Sequence, residues 1–185
     1  MKRLLAAVVY TSLVLMANPL LADMSAVEAM RDGDMKKLVF HAEPKPVSEV
    51  EFVDENGSTR RLSDMQGNWL VVNFWATWCA PCRKEMPTLS ALQTTFDGRP
   101  VEVVTIATGR NSVPGINRFL DEIGADNLPR YRDPKQALAR DMGIMGLPIT
   151  VLIDPAGHEV ARLRGDAHWD SDSAIAILEA LAAGS

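Results

Sequence analysis

Asn73-Phe74-Trp75-Ala76-Thr77-Trp78-Cys79-Ala80-Pro81-Cys82-Arg83-Lys84-Glu85-Met86-Pro87 is the stretch on which the fold turns. The apolar run Trp69 to Trp75, of strand length, ends inside it, and a helical pattern takes over from Pro81. Both cysteines of the chain fall at that junction, spaced Cys-x-x-Cys. A thiol at a helix N-terminus meets unpaired N–H groups and the positive end of the helix dipole, which favour thiolate over thiol. Two cysteines three positions apart on one turn can close a small-loop disulfide and open it again. The stretch reads as a redox site.

On the N-terminal side, Trp69 to Trp75 lacks clean alternation, which predicts a central strand buried on both faces. Before it, Glu49 to Val53 and Thr59 to Leu62 flank Asp54-Glu55-Asn56-Gly57, a hairpin signal, and Ser63 to Gly67 reads as a capped turn. On the C-terminal side, Met86, Leu89, Leu92 and Phe96 recur at helical spacing. Pro81 suits a first helical turn, whereas Pro87 falls inside the helix and should kink it. Val101 to Ala107 is a second buried strand. Ile116, Phe119, Leu120 and Ile123 mark a helix ended by Gly124, and a short helix follows Asp133-Pro134 as far as Asp141. Ile149 to Ile153 and Glu159 to Leu163 form an antiparallel hairpin about Asp154-Pro155-Ala156-Gly157. Ser171-Asp172-Ser173 caps a final helix with Ile175, Leu178 and Leu181 on one face. The order predicts an α/β domain with a mixed sheet between helical layers.

The 185 residues are 47% apolar and 23% charged, enough for one well-cored domain plus a non-domain segment. A net charge of −5 leaves no basic footprint for nucleic acid. Met1-Lys2-Arg3 followed by the uncharged run to Ala22 reads as a signal peptide, or as a membrane anchor at the short end of the spanning range. Either way Lys2 and Arg3 stay cytoplasmic and the domain is exported. No cysteine near Ala22 supports a lipid anchor. Residues 23–46, ending Glu43-Pro44-Lys45-Pro46, read as an extended linker, and 47–185 as the domain. An exported chain whose only two cysteines sit in the motif has no sulfur to spare for a structural bridge.

The motif, the element order and Gly146-Leu147-Pro148-Ile149-Thr150-Val151 together resemble the TlpA/ResA-like thiol–disulfide reductases of the thioredoxin superfamily. The N-terminal hairpin and the helical insertion around residues 112–141 share that resemblance, and the ending Gly165-Asp166-Ala167-His168-Trp169 before a capped helix especially resembles the TlpA branch. The resemblance implies a thioredoxin fold and an exported, periplasmic enzyme that reduces disulfides in client proteins and needs no cofactor beyond the Cys79–Cys82 pair. It implies electrons from a membrane donor of the DsbD/CcdA kind. The implied clients are a Sco-type copper chaperone, the copper subunit of cytochrome oxidase, or apocytochrome c, placing the enzyme in cytochrome biogenesis.

Cys79, the outer sulfur, is the expected nucleophile, and Cys82 the resolving thiol. Ala80 and Pro81 offer no side-chain donor to a thiolate, which by resemblance argues for a reductant. Pro148 matches the fold's cis-proline, where the backbone of Leu147 is expected to pair with a partner peptide. Trp78 is expected to flank the groove and touch the partner. Glu85, one turn beyond Cys82, is by resemblance the proton acceptor for that thiol, the plain alternative being a solvated carboxylate complementing the helix start. Asn73 stands where thioredoxin carries a buried Asp. Trp169 and His168 read as packing and surface, and Arg83 and Lys84 as solvated helix residues.

Other chemistries fit less well. A metal clip needs ligands that His41, His158 and His168 do not offer at ligand spacing. A peroxiredoxin needs Pro-x-x-x-Thr-x-x-Cys, but Val72 holds the proline position. A disulfide oxidase or isomerase would use the same two sulfurs with the opposite poise, and a non-catalytic Cu(I) carrier would hold copper without exchange activity.

Overall fold

The computed structural model describes the backbone from Pro19 to Gly184, with side chains from Met24 onward. The expected leader or anchor, residues 1–22, therefore lies outside the described residues apart from the backbone of 19–22. Among the described residues no helix is long and apolar enough to cross a membrane.

Strand β4 (Trp69–Trp75) is buried along its whole length, as its unbroken apolar run predicts. It pairs parallel with β5 (Val101–Thr108) on one side and antiparallel with β7 (Ile149–Ile153) on the other. Its side chains alternate between two cores. Val71 and Trp75 face the larger one, built with α2 (Ala80–Thr95), α3 (Val113–Glu122) and α5 (Asp172–Ala183). Leu70, Val72 and Phe74 face the smaller one, with Phe52, Leu62 and, from α4 (Ala137–Asp141), Leu138. Asn73 shares the parity of Val71 and Trp75, so this polar residue is directed at the α2 face.

Among the described residues the sheet has eight strands. β1 (Leu38–Pro46), β8 (His158–Arg164), β7, β4, β5, β6 (Tyr131–Asp133), β2 (Phe52–Val53) and β3 (Thr59–Arg60) lie in that order. The predicted hairpin is the β2–β3 edge. Its turn uses Gly57 at φ 83° while the Asp54 carboxylate accepts from the N–H groups of Asn56 and Ser58.

Helix α2 starts where its sequence says it must. Cys79 is an extended N-cap whose sulfur accepts from the Cys82 N–H, and Pro81 sits in the first turn, where its missing N–H costs nothing. Met86, Leu89 and Leu92 are buried on the inner face, each contributing about 1.5–3 kcal/mol. The helix runs unbroken through Pro87 to Thr95.

Residues 23–46 depart from the linker reading. They contain the end of α1 (Pro19–Ala29), a 3-10 turn over Gly33–Lys37 and all of β1, which pairs antiparallel with β8. Val27, Met35 and Leu38 are buried in the larger core. Pro44 and Pro46 are tolerated because β1 is an edge strand, where one row of N–H groups has no ladder to serve. Strand β6 has no signal of its own in the sequence. It is three residues long, too short to carry a period. In α5 the buried face is Ala174, Ile177, Leu178 and Leu181, so Ile175 lies at its margin.

Candidate active site

The turn from β4 into α2 puts both sulfurs at the C-terminal end of the sheet's most buried strand. Cys79 and Cys82 are joined by a disulfide, with Cα atoms 5.3 Å apart. Cys79 keeps 7% of its surface accessible and Cys82 none. A partner can therefore reach only the outer sulfur without the helix moving. Ala80 and Pro81, between them, are exposed.

The loop that presents Cys79 is tied to the start of α3. Asn111 Oδ1 accepts from both the N–H and the hydroxyl of Thr77, at 2.8 and 3.0 Å, and Asn111 Nδ2 donates to the Thr108 carbonyl. This gives Thr77 a role for which its sequence offered no argument. Trp78, 64% exposed, is anchored at its edge by an indole N–H bond to the Arg110 carbonyl. Its face is left open.

The Leu147–Pro148 peptide bond is cis. Register sets Ile149 opposite Phe74, which brings Pro148 to the same end of the sheet as the motif. Leu147 is half-buried, and Met145 just before it is 93% exposed, an apolar residue that sequence reading did not single out.

Glu85 is not a solvated helix-start carboxylate. It is 1% exposed and held by three donors from two segments, β4 and the turn before α5. Asn73 Nδ2 donates to Oε1 at 2.8 Å, while the Ala167 N–H and the Trp169 indole N–H donate to Oε2 at 3.1 and 3.2 Å. Burial pushes its pKa up to about 7 against these hydrogen bonds, with the nearby Asp166 charge adding to the rise. Asn73 Nδ2 also reaches Thr150 Oγ1 at 2.9 Å across the β4–β7 pair. Thr88 closes the frame: its hydroxyl donates to the Glu85 carbonyl and accepts from the Trp169 N–H.

Trp169, read from sequence as packing, thus donates to the buried acid. The signal that could have found it is the pairing of a Trp, which needs an N–H partner when buried, with a carboxylate on an apolar helix face. Arg83 and Lys84 have partners of their own: the Arg83 guanidinium lies 4.1 Å from the Phe119 ring centroid, and Lys84 pairs with Asp166 at 3.0 Å. His41, His158 and His168 each face a carboxylate, of Glu159, Asp154 and Asp34 respectively.

A disulfide at the N-cap of the first helix after a central strand, a cis-proline beside it and a mixed sheet flanked by helices define a thioredoxin-fold dithiol protein. Comparison with known proteins narrows this. The chain belongs to the AhpC/TSA family, whose model matches residues 44–160. It is similar to the thiol-disulfide oxidoreductase ResA of Bacillus subtilis (strain 168), 33% identical over 112 residues, 60% of this chain and 62% of that relative. With the ResA of Oceanobacillus iheyensis it shares 34% identity over 136 residues, 71% of this chain and 67% of the relative. The chain thus spans somewhat under two thirds of the length of the Bacillus subtilis relative. A thioredoxin-family thiol:disulfide interchange protein from Chlorobium tepidum superposes with a TM-score of 0.58 at 28% identity, covering 75% of this chain and 99% of that one. The exposed lipoprotein thioredoxin Etrx1 of Streptococcus pneumoniae gives 0.60 at 26% identity, over 71% and 98%. The TlpA/ResA likeness read from the motif is the likeness these comparisons find.

Proposed function

We propose that the protein is a thiol–disulfide oxidoreductase that works outside the cytoplasm as a reductant of disulfides in client proteins. The observation that carries this reading is the asymmetry of the sulfur pair: one at the surface on a helix N-cap, the other sealed beneath it one turn from a buried acid.

In the reduced enzyme the Cys79 thiolate, favoured by the helix start, attacks one sulfur of a client disulfide and expels the other as a thiolate. The product is a mixed disulfide. Cys82 then loses its proton and attacks Cys79, restoring the intramolecular bond and releasing the client dithiol. Glu85 takes up the Cys82 proton, a task suited to an acid with a pKa of about 7. Trp78 and Met145 offer exposed apolar surface to the client, and the Leu147 backbone offers main-chain pairing. No cofactor is needed beyond the two sulfurs.

Electrons return to Cys79–Cys82 from a membrane dithiol donor of the DsbD/CcdA kind. The clients we favour are a Sco-type copper chaperone, the copper subunit of cytochrome oxidase, or apocytochrome c. Residues 1–22 act as export signal or anchor and place the domain in the periplasm. The neutral Ala80-Pro81 pair supports the reducing direction, since nothing in it stabilises a thiolate by charge.

Equilibration of the purified protein with glutathione tests the direction. A reductant settles well below the ~−120 mV of a DsbA-type oxidant, near the ~−270 mV of thioredoxin. A value near the oxidant's would overturn the reading.

A further inference from the structure

The Glu85 site holds donors in excess and one acceptor that nothing uses. On the Oε2 side both neighbours, the Ala167 N–H and the Trp169 indole, can only donate. They suit a carboxylate and offer nothing to the proton of a carboxylic acid. On the Oε1 side stands Asn73, whose amide has a donor end and an acceptor end. Its donor end serves Oε1 and Thr150 Oγ1 together, and its Oδ1 is buried with no hydrogen-bond partner.

We propose that the Asn73 amide turns over with the protonation of Glu85, presenting its NH2 to the carboxylate and its carbonyl oxygen to the acid. This rests on the reading that Glu85 gains and loses a proton during catalysis. Protonation adds one H⁺ at Oε1 and breaks the Nδ2–H···Oε1 bond. Half a turn of the amide replaces it with Oε1–H···Oδ1, and no electrons move. The second partner, Thr150, accommodates both orientations because a hydroxyl accepts from NH2 and donates to C=O. One end of the amide is unpartnered in either orientation, the carbonyl beside the carboxylate and the NH2 beside the acid, so the Oε1–H···Oδ1 bond must outweigh the cost of leaving the NH2 unpaired. Asn73 is a positioning residue here: it gives both charge states of Glu85 a partner and keeps the proton exchangeable.

The charges around Glu85 do not perform this function. Asp166, in the turn before α5, raises its pKa, and Lys84 on α2 pairs with that aspartate. Lys37 donates to the Asp166 carbonyl from the 3-10 turn, and Cys82, one turn back on α2, is held in the disulfide and does not titrate in the oxidised protein. β4 and β7 contribute only the uncharged Asn73 and Thr150.

The experiment is NMR on the full-length oxidised protein, following the Glu85 Cδ shift and the NOE between the Asn73 NH2 protons and the Thr150 methyl across pH. The expected result is an NOE present above the Glu85 midpoint and lost in step with protonation below it. An NOE unchanged while Glu85 titrates would overturn the proposal.

A pair of variants gives an independent reading. Trp169→Phe removes a donor that serves only the anion and should move the Glu85 midpoint upward. Asn73→Leu removes a partner of both charge states and should move it less than half as far. An equal or larger displacement in Asn73→Leu would make Asn73 a simple donor and overturn the turnover. Because both measurements use the oxidised protein without a client, failed client reduction leaves them standing and bears only on the proposed activity.

Discussion

Glu85 and Glu159 are both buried carboxylates, and they titrate in opposite directions. Burial works to raise both. Glu159, on β8, overcomes it through its partners: the Arg162 guanidinium donates from Nε and Nη2 at 2.7 and 2.9 Å, and a His41 ring nitrogen lies at 2.7 Å, so its pKa falls below the ordinary value. Glu85 faces only neutral donors, and burial wins, carrying it to about 7. A hydrogen bond from a neutral amide or indole is weaker than one from a guanidinium and brings no compensating charge. The first arrangement fastens the β1 edge to the sheet. The second leaves a proton that can come and go near neutral pH, one turn from a sulfur.

That contrast can be broken from either side. The largest effect is expected in Arg162→Met, which strips Glu159 of its bidentate partner and leaves a charge buried with only His41. A loss of about 3–5 kcal/mol in denaturant unfolding at pH 7 is expected. A loss below about 1 kcal/mol would show that Glu159 is not held by charge.

Glu85→Gln should do the reverse. The folded protein holds the Glu85 proton more tightly than the unfolded chain, whose carboxyl titrates near 4.5. Its stabilising contribution is therefore complete below pH 4.5 and is lost as pH rises through about 7. The variant escapes that loss. It should be more stable than wild type by about 2–3 kcal/mol at pH 8, with the advantage vanishing toward pH 4.5. Paired unfolding curves at the two pH values read this directly.

In the same variant, client-disulfide reduction should slow by about 10²-fold or more, as for a lost general base, and lose its inflection near neutral pH. An unchanged pH–rate profile would remove Glu85 from the chemistry. The smallest effect belongs to Lys84→Met, which removes the exposed cation beside Asp166. The Glu85 midpoint should rise slightly as the aspartate loses its partner, with no measurable change in stability.

The sequence was most legible where one segment satisfies a period by itself. Trp69–Trp75, the helical spacing of Met86, Leu89 and Leu92, and Ser171 before the last helix were readable because each signal is local. β1 reads as a tether because its second half, His41-Ala42-Glu43-Pro44-Lys45-Pro46, alternates polar residues with two prolines. Its place depends on β8, more than a hundred residues away. The site divides in the same manner. The sulfurs and Glu85 share one helix and were found together. Asn73, Ala167 and Trp169 meet Glu85 from a strand and a distant turn, Thr150 meets Asn73 from a second strand, and no spacing in the chain joins them.

The claim that Cys79 exchanges with client disulfides is tested most directly by the Cys82→Ser protein, reduced, mixed with a disulfide-bearing protein and analysed by mass spectrometry. The account predicts a covalent one-to-one adduct through Cys79 that dithiothreitol releases and that Cys79→Ser never forms. No adduct with Cys82→Ser, or one that persists in Cys79→Ser, would contradict it.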